Sequence, residues 1–222
     1  MGLAAPPMQR RWCARVKPQR VSMVVGLFAL SASAEPPAWK LDRVEDGIRV
    51  EARDVPGSSF AELRLSIDSA ESLGSLCDAV WAKNVGTKLE GDFKKRVVIR
   101  EDDHERWTYE QIRAPVVSDR DYVMKVTLLS PASSGRCEVA FETVKDPAYP
   151  PTEDHVRLTA VRGHWWLTPS ESGKVKVTYQ LFSDPGGSVP AFLAKGGQRS
   201  AAIDFFKTIL SRAKKAETAT SR

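Results

Sequence analysis

The stretch Lys174-Val175-Lys176-Val177-Thr178-Tyr179-Gln180-Leu181-Phe182, followed by Asp184-Pro185-Gly186-Gly187-Ser188-Val189-Pro190, decides the fold. Its first part alternates apolar and polar residues, the period of a half-buried strand. Its second part is a turn into a helix, with Ser188 suited to the N-cap and Pro190 to the first turn. One long helix is predicted beyond it, from about Val189 to Lys215. Ile203, Phe206 and Leu210 form its apolar stripe, with Phe192 and Leu193 nearer its start. A long helix must bury such a stripe, and the concave face of a curved sheet is the natural place.

The sheet is read upstream. Strand patterns cover Gly47 to Arg53, Phe60 to Asp68, Phe93 to Glu101, Arg106 to Arg113, Asp121 to Leu129, Cys137 to Val144, Val156 to Leu167 and Lys174 to Phe182. Between the second and third, Leu73, Leu76, Cys77, Val80 and Trp81 recur at helical spacing behind a possible cap at Ser69. Asn84 to Glu90 is ambiguous, with a short second helix as one reading. Hairpin-like spacing makes the sheet mainly antiparallel. Helices confined to one interruption and the end give an α+β class. The expected interior combines Trp107 and Tyr109 with Tyr122, Met124 and Val126, and with Phe141, Val177 and Tyr179. Periodicity leaves open whether these side chains fill the space or keep a cavity.

Charge narrows the function classes. The formal net charge is +5, but residues 1–34 hold five basic residues and no acidic one. The remaining chain carries 28 of each sign. An electrostatic footprint for nucleic acid is therefore missing from the body of the protein. The first 34 residues read as a secretory signal peptide: a basic stretch to Arg20, an apolar run from Val21 to Leu30, and Ala32-Ser33-Ala34 before Glu35. The run is short for a spanning helix, which needs ~20 apolar residues. The expected organisation is a signal peptide over 1–34, one domain over 35–216 and a loose tail over 217–222, in a periplasmic or secreted protein. A disulfide between Cys77 and Cys137 is permitted there; two separate buried thiols are the alternative.

Four segments carry a resemblance to a known family. They are Gly47-Ile48-Arg49-Val50; Pro115-Val116-Val117-Ser118-Asp119-Arg120-Asp121-Tyr122-Val123; Val156-Arg157 with Gly163-His164-Trp165-Trp166; and Asp184 to Pro190. In that order the chain resembles a START domain, the lipid-transfer domain of the helix-grip fold, over about Trp39 to Lys215. The resemblance implies a curved antiparallel sheet gripping the C-terminal helix, and one lipid-sized cavity between them. It implies a lipid or other hydrophobic small molecule as partner, with transient contact to a membrane surface. It also implies a gate at the apolar loop Ala114-Pro115-Val116-Val117, for which packing against the last helix is the alternative. Some sterol-carrying members place a charged acid–base pair in the cavity. Counted without gaps from Arg120-Asp121, those positions here are Trp107 and Val126, so the pair is missing and a cholesterol-type ligand is not indicated.

The motifs also have readings of their own. Two acids flanking Arg120 suggest a turn held by carboxylate–guanidinium hydrogen bonds. Gly196-Gly197 costs a helix ~1 kcal/mol per glycine relative to alanine. Close helix–sheet packing or a hinge over the cavity would explain the pair. Arg113 and Arg157 are the cations expected to reach an interior; Arg157 would form a structural ion pair or meet a lipid headgroup. The remaining expected ligand contacts are Gln111, Phe192 and Phe206. Catalytic signals are weak. His104, His155 and His164 lack metal-ligand spacing, and no nucleophile elbow is present. A monomeric carrier without cofactor or metal is the expectation. The alternative is a small-molecule enzyme resembling the polyketide cyclases, with Tyr109, Gln111 and Arg113 as acid–base groups.

Overall fold

The structure is a computed structural model that describes residues 37–81, 93–113, 118–187 and 191–220, together with Gly2; for 191–195 and Thr220 it describes backbone alone. The strands are β1 (Lys40–Glu45), β2 (Ile48–Asp54), β3 (Ala61–Ser69), β4 (Phe93–Glu101), β5 (Glu105–Ile112), β6 (Arg120–Ser130), β7 (Cys137–Val144), β8 (Val156–Arg157), β9 (Val161–Pro169) and β10 (Val175–Ser183). Helix α1 spans Leu73–Trp81 and α2 spans Ala191–Thr220. They form one ten-stranded sheet in the order β1-β2-β3-β10-β9-β7-β6-β5-β4, antiparallel throughout except for β8, which runs parallel beside the start of β6. This is the expected curved antiparallel sheet with a long C-terminal helix.

Two strands differ from the sequence reading. The first, β1, is almost wholly exposed. It is an edge held by backbone pairing to β2, so it shows no buried alternation. Its turn, Asp46-Gly47, has φ of 50° and 80°. Both central residues are left-handed, as a tight two-residue hairpin requires. The predicted strand Val156 to Leu167 is two strands, interrupted at Leu158 to Ala160.

One face of the sheet, here called inner, packs against both helices. Val50, Leu65, Val139, Leu167 and Val177 are fully or almost fully buried there, under Ile203, Phe206, Ile209 and Ala213 of α2. Trp165 lies between Tyr179 and Phe206, with ring centroids 4.2 and 5.6 Å away. Cys77 of α1 and Cys137 of β7 are joined in a disulfide, their Cα atoms 5.8 Å apart. Helix α2 continues to Thr220, so most of the expected loose tail is helical. The Glu217 carboxylate there accepts a hydrogen bond from the Ser72 backbone N–H at 2.5 Å, just before α1. Opposite Phe141 the inner face has no side chain: a Cβ on Gly163 would stand 2.2 Å from Phe141 Cζ and from the Gln180 carbonyl oxygen. Glycine there lets the Phe141 ring lie flat on the neighbouring strand.

Candidate ligand-binding face

The register between β5 and β6 fixes which side chains share the inner face. Arg106, Thr108, Glu110 and Ile112 stand opposite Val126, Met124, Tyr122 and Arg120. Continuing across the sheet, Val126 faces Phe141, and Phe141 faces Gly163. Tyr122, Met124, Val126, Phe141, Val177 and Tyr179 thus lie on the inner face, as expected. Tyr122, Met124, Leu158 and Val161 form a second apolar cluster touching Val126 and Phe141. Phe206 reaches the inner face from α2 and is fully buried.

Trp107, Tyr109 and Gln111 alternate with that set and lie on the outer face, which corrects the expected grouping. The Arg100 guanidinium covers the Trp107 ring at 3.7 Å, and the indole N–H donates to Glu105. Tyr109 stacks on Tyr149 at 4.7 Å and donates its hydroxyl to Asp121 at 3.0 Å. Gln111 donates to the Tyr109 oxygen at 3.0 Å. Arg157 makes two 2.8 Å hydrogen bonds to the fully buried Asp121 carboxylate and reaches the carbonyls of Tyr149 and Pro150. It is a structural ion pair tying residues 149–157 to β6. Burial pushes the Asp121 carboxyl up, but the Arg157 and Tyr109 hydrogen bonds outweigh it and hold the group below its ordinary value. Arg113, just past β5, is exposed.

The inner face holds instead a polar cluster that residue-by-residue reading missed. Arg96 of β4 is paired with Glu110 of β5, and its Nε donates to the carboxylate at 2.6 Å. Thr108 donates to the same carboxylate oxygen at 3.1 Å, and the Tyr122 hydroxyl to the other at 2.5 Å. Both charged side chains are 9% exposed. A buried ion pair survives only when its remaining hydrogen-bonding capacity is met, and here a tyrosine and a threonine help meet it. Burial, and then the Glu110 charge, push the Tyr122 phenol well above its ordinary value. Arg106, 5% exposed, lies further along the same face. Its Nη1 donates to the Trp81 carbonyl at 3.2 Å and to Glu101 at 3.3 Å. Burial pulls the guanidinium down, and Glu101 opposes that.

The Ser118 to Asp121 turn is held differently from the expectation. Arg120 donates to carbonyls, those of Ser118, Pro185 and Gly186, and the flanking Asp119 adds an electrostatic attraction. Asp119 pairs with Lys94 at 2.5 Å, and Asp121 with Arg157. The two segments that carry the resemblance most strongly therefore meet each other, through Arg120 and the turn before α2.

Close packing does not explain Gly196-Gly197. Both are exposed, and a Cβ on either would meet nothing within 4 Å. The residues that follow are pinned: Gln198 Nε2 donates to the Ala61 and Ser183 carbonyls at 3.3 and 3.1 Å, and Arg199 to Asp42 at 3.2 Å. The loop Ala114 to Val117, the Phe192 side chain and the ambiguous segment Asn84 to Glu90 lie outside the described residues.

Known proteins share the fold. Residues 103–218 match the START domain family. An uncharacterized protein of Pseudomonas aeruginosa is 29% identical over 196 residues, covering 87% of this chain and 95% of that protein. A crystal structure of a STAR-related lipid transfer protein fragment from Xanthomonas axonopodis matches with a TM-score of 0.68 at 28% identity, over 79% of this chain and 98% of that one. Human StAR-related lipid transfer protein 5, at 17% identity, shares the fold with a TM-score of 0.69, over 81% of this chain and 88% of that one. The matched span includes β5, β6, the Arg120 turn and nearly all of α2, more than half of the sequence: the chain belongs to the START domain family.

Proposed function

We propose that the protein binds one lipid or other hydrophobic small molecule against the inner face of β4, β5 and β6, and carries it between membrane surfaces. The observation that carries this reading is a contrast on that face. An apolar wall of Met124, Val126 and Phe141 adjoins the buried Arg96–Glu110 pair and the Tyr122 hydroxyl. Transfer of apolar ligand surface from water supplies affinity at ~25 cal/mol per Å², and the polar cluster supplies orientation. The likeness to the Xanthomonas lipid transfer protein supports the same reading. The cyclase alternative loses support, because Tyr109 and Gln111 are on the outer face and Arg113 is exposed.

In this reading access is controlled by the Ala114 to Val117 loop and the first turns of α2. The open surroundings of Gly196-Gly197 support a hinge there, ahead of the pinned Gln198 and Arg199. Only the part of α2 before the glycines would swing. The Cys77–Cys137 bridge supports export to an oxidising compartment, with the mature chain starting at Glu35.

Protein purified from its own host should release one hydrophobic ligand per chain on native mass spectrometry and solvent extraction. Gly196→Ala with Gly197→Ala should slow exchange of a fluorescent lipid with vesicles while leaving equilibrium affinity almost unchanged. A folded chain that neither retains nor exchanges any lipid would sink the carrier reading. N-terminal sequencing of the extracytoplasmic protein checks the cleavage site.

A further inference from the structure

We infer that the free edge of β1 pairs with β1 of a second copy of this chain, antiparallel about a two-fold axis between Asp42 and Arg43, so that two sheets join into one. A monomer was the expectation from sequence, and the inference does not depend on the carrier reading.

The first observation is the edge itself. β1 ends the strand order, and among the described residues no strand pairs on its far side. Leu41 is 53% and Val44 62% exposed there. Edge strands that stay single are commonly blunted by lysine and other charges that repel a copy of themselves. β4, at the other end of the order, is blunted in that way: it carries Lys94, Lys95, Arg96 and Arg100 against Glu101 alone. β1 instead balances Lys40 and Arg43 with Asp42 and Glu45.

The second observation is the order of those charges. Laid against its own reverse, Lys40-Leu41-Asp42-Arg43-Val44-Glu45 puts Lys40 opposite the partner's Glu45, Leu41 opposite the partner's Val44, and Asp42 opposite the partner's Arg43. The two-fold repeats each pair. Every charge meets its opposite and each apolar side chain meets an apolar one, the kinds of cross-strand pair that stabilise a sheet.

The third observation is a bulge that makes this register possible. A two-fold axis joining antiparallel edges stands normal to the sheet, so opposed residues must come from the same face. In a regular strand Leu41 and Val44 would point to opposite faces. In β1, Leu41 pairs with Glu51 and Arg43 with the adjacent Val50, which leaves Asp42 as an extra residue. Leu41 and Val44 therefore share the outer face, opposite Glu51 and Arg49, and Lys40 and Glu45 share the inner face, opposite Ala52 and Ile48. Bulges often keep an edge unpaired; this one supplies the odd spacing that the sign pattern needs. Arg199 and Lys207 of α2 hold Asp42 and Glu45 at 3.2 and 2.9 Å. The edge is thus ordered before a partner arrives, and less freedom is lost on pairing. Its length is about 20 Å at ~3.4 Å per residue, a small contact, so the association is weak and concentration-dependent.

The test is sedimentation velocity of the exported chain from about 1 to about 200 µM, the range that suits a weak interface. The mean mass should climb from one chain toward two. Val44→Glu, at an exposed position beside Arg49, should keep the circular dichroism of wild type and weaken the dimer roughly tenfold or more. Register is read with cysteines. An equimolar mixture of Leu41→Cys and Val44→Cys chains should cross-link under mild oxidant, whereas either chain alone should not, because positions 41 and 44 oppose each other and not themselves. A wild-type chain that stays monomeric at the highest concentration overturns the inference. So does a dimer indifferent to Val44→Glu, or one whose cysteines link as well alone as mixed, since the contact then lies on another surface or in another register. Monomers that bind vesicles, and lose that binding in Val44→Glu, would assign the edge to a membrane surface instead.

Discussion

The two halves of the inner face are built to different rules. Under α2, the surface formed by β2, β3, β10, β9 and β7 is dry. Leu63, Leu65, Val177 and Leu167 are fully buried, the aromatic stack of Tyr179, Trp165 and Phe206 crosses from sheet to helix, and a disulfide joins it to α1. Across β6, β5 and β4 the same face carries Arg106, Thr108 and Glu110, all buried, and Arg96, whose side chain is 9% exposed. Apolar burial stabilises the first half directly. The second places two guanidiniums where hydrophobic residues would serve stability as well or better. Such a contrast within one continuous sheet separates the scaffold from the candidate site: one half holds the fold, and the other carries a stability cost that, on the proposed reading, a ligand's polar group offsets.

The comparison can be broken from its stable side first. Phe206→Ala should cost about 3–5 kcal/mol in urea unfolding, since a fully buried ring is lost from a packed core. The variant that still folds should keep its affinity for a fluorescent lipid. Loss of that affinity would mean that the halves are not separate. Replacing both Cys77 and Cys137 by serine frees a span of 60 residues in the unfolded chain and should cost about 4 kcal/mol on a loop-closure argument. Reductant should reproduce the loss in wild type.

The polar half gives a sharper test. Glu110→Leu removes the carboxylate that Arg96 binds and should cost about 3 kcal/mol. Combining it with Arg96→Met should recover most of that stability, measured as a double-mutant cycle. The recovered protein should nevertheless exchange lipid with altered affinity. Full recovery of both stability and binding would reduce the pair to a structural ornament. The smallest effect expected is a pH-dependent one, on the outer face. The folded-state pKa of Asp121 lies below its ordinary 3.8, so its pairing with Arg157 contributes stability above about pH 4 and loses it as pH falls below. Asp121→Asn should remove that part of the acid dependence and leave the profile above pH 5 parallel to wild type.

Fold class, the long helix and seven strand locations were legible, most of them because a buried face imposes a period. β1 was not, since as an exposed edge it has none; its one signal was Asp46-Gly47, a dipeptide that suits a tight hairpin. The candidate site was half legible. On β6 only one face is apolar, so Tyr122, Met124 and Val126 could be placed. On β5 both alternating sets are plausible interiors: Trp107 and Tyr109 on one, Arg106, Thr108 and Glu110 on the other. Alternation favours the aromatics. The structure takes the other set because Arg100 and Tyr149 cover the outer rings, while Arg96 and Tyr122 satisfy Glu110. Whether even or odd positions of β5 join the even positions of β6 is set by the parity of their connection, and a shift of one residue exchanges the two faces. No local pattern in β5 decides that. Arg96 was hidden for the same reason, as one charge among several in Lys94-Lys95-Arg96.

The pairing of β3 with β10, at the centre of the dry half, joins Ser69 to Val175 and Leu63 to Leu181. About a hundred residues of chain intervene, and closing that loop precedes any reward from the contacts it makes. β4, β5, β6 and β7 are linked in chain order by hairpins, a far more local arrangement. Refolding should therefore raise the polar meander first and close the central seam last, when β10 and then α2 arrive. Cys77 and Cys137 both lie inside the intervening segment. Their oxidation shortens the loop that the seam must close, so the oxidised chain should refold faster than the reduced one, by a factor that stopped-flow fluorescence of the Trp165 stack can follow.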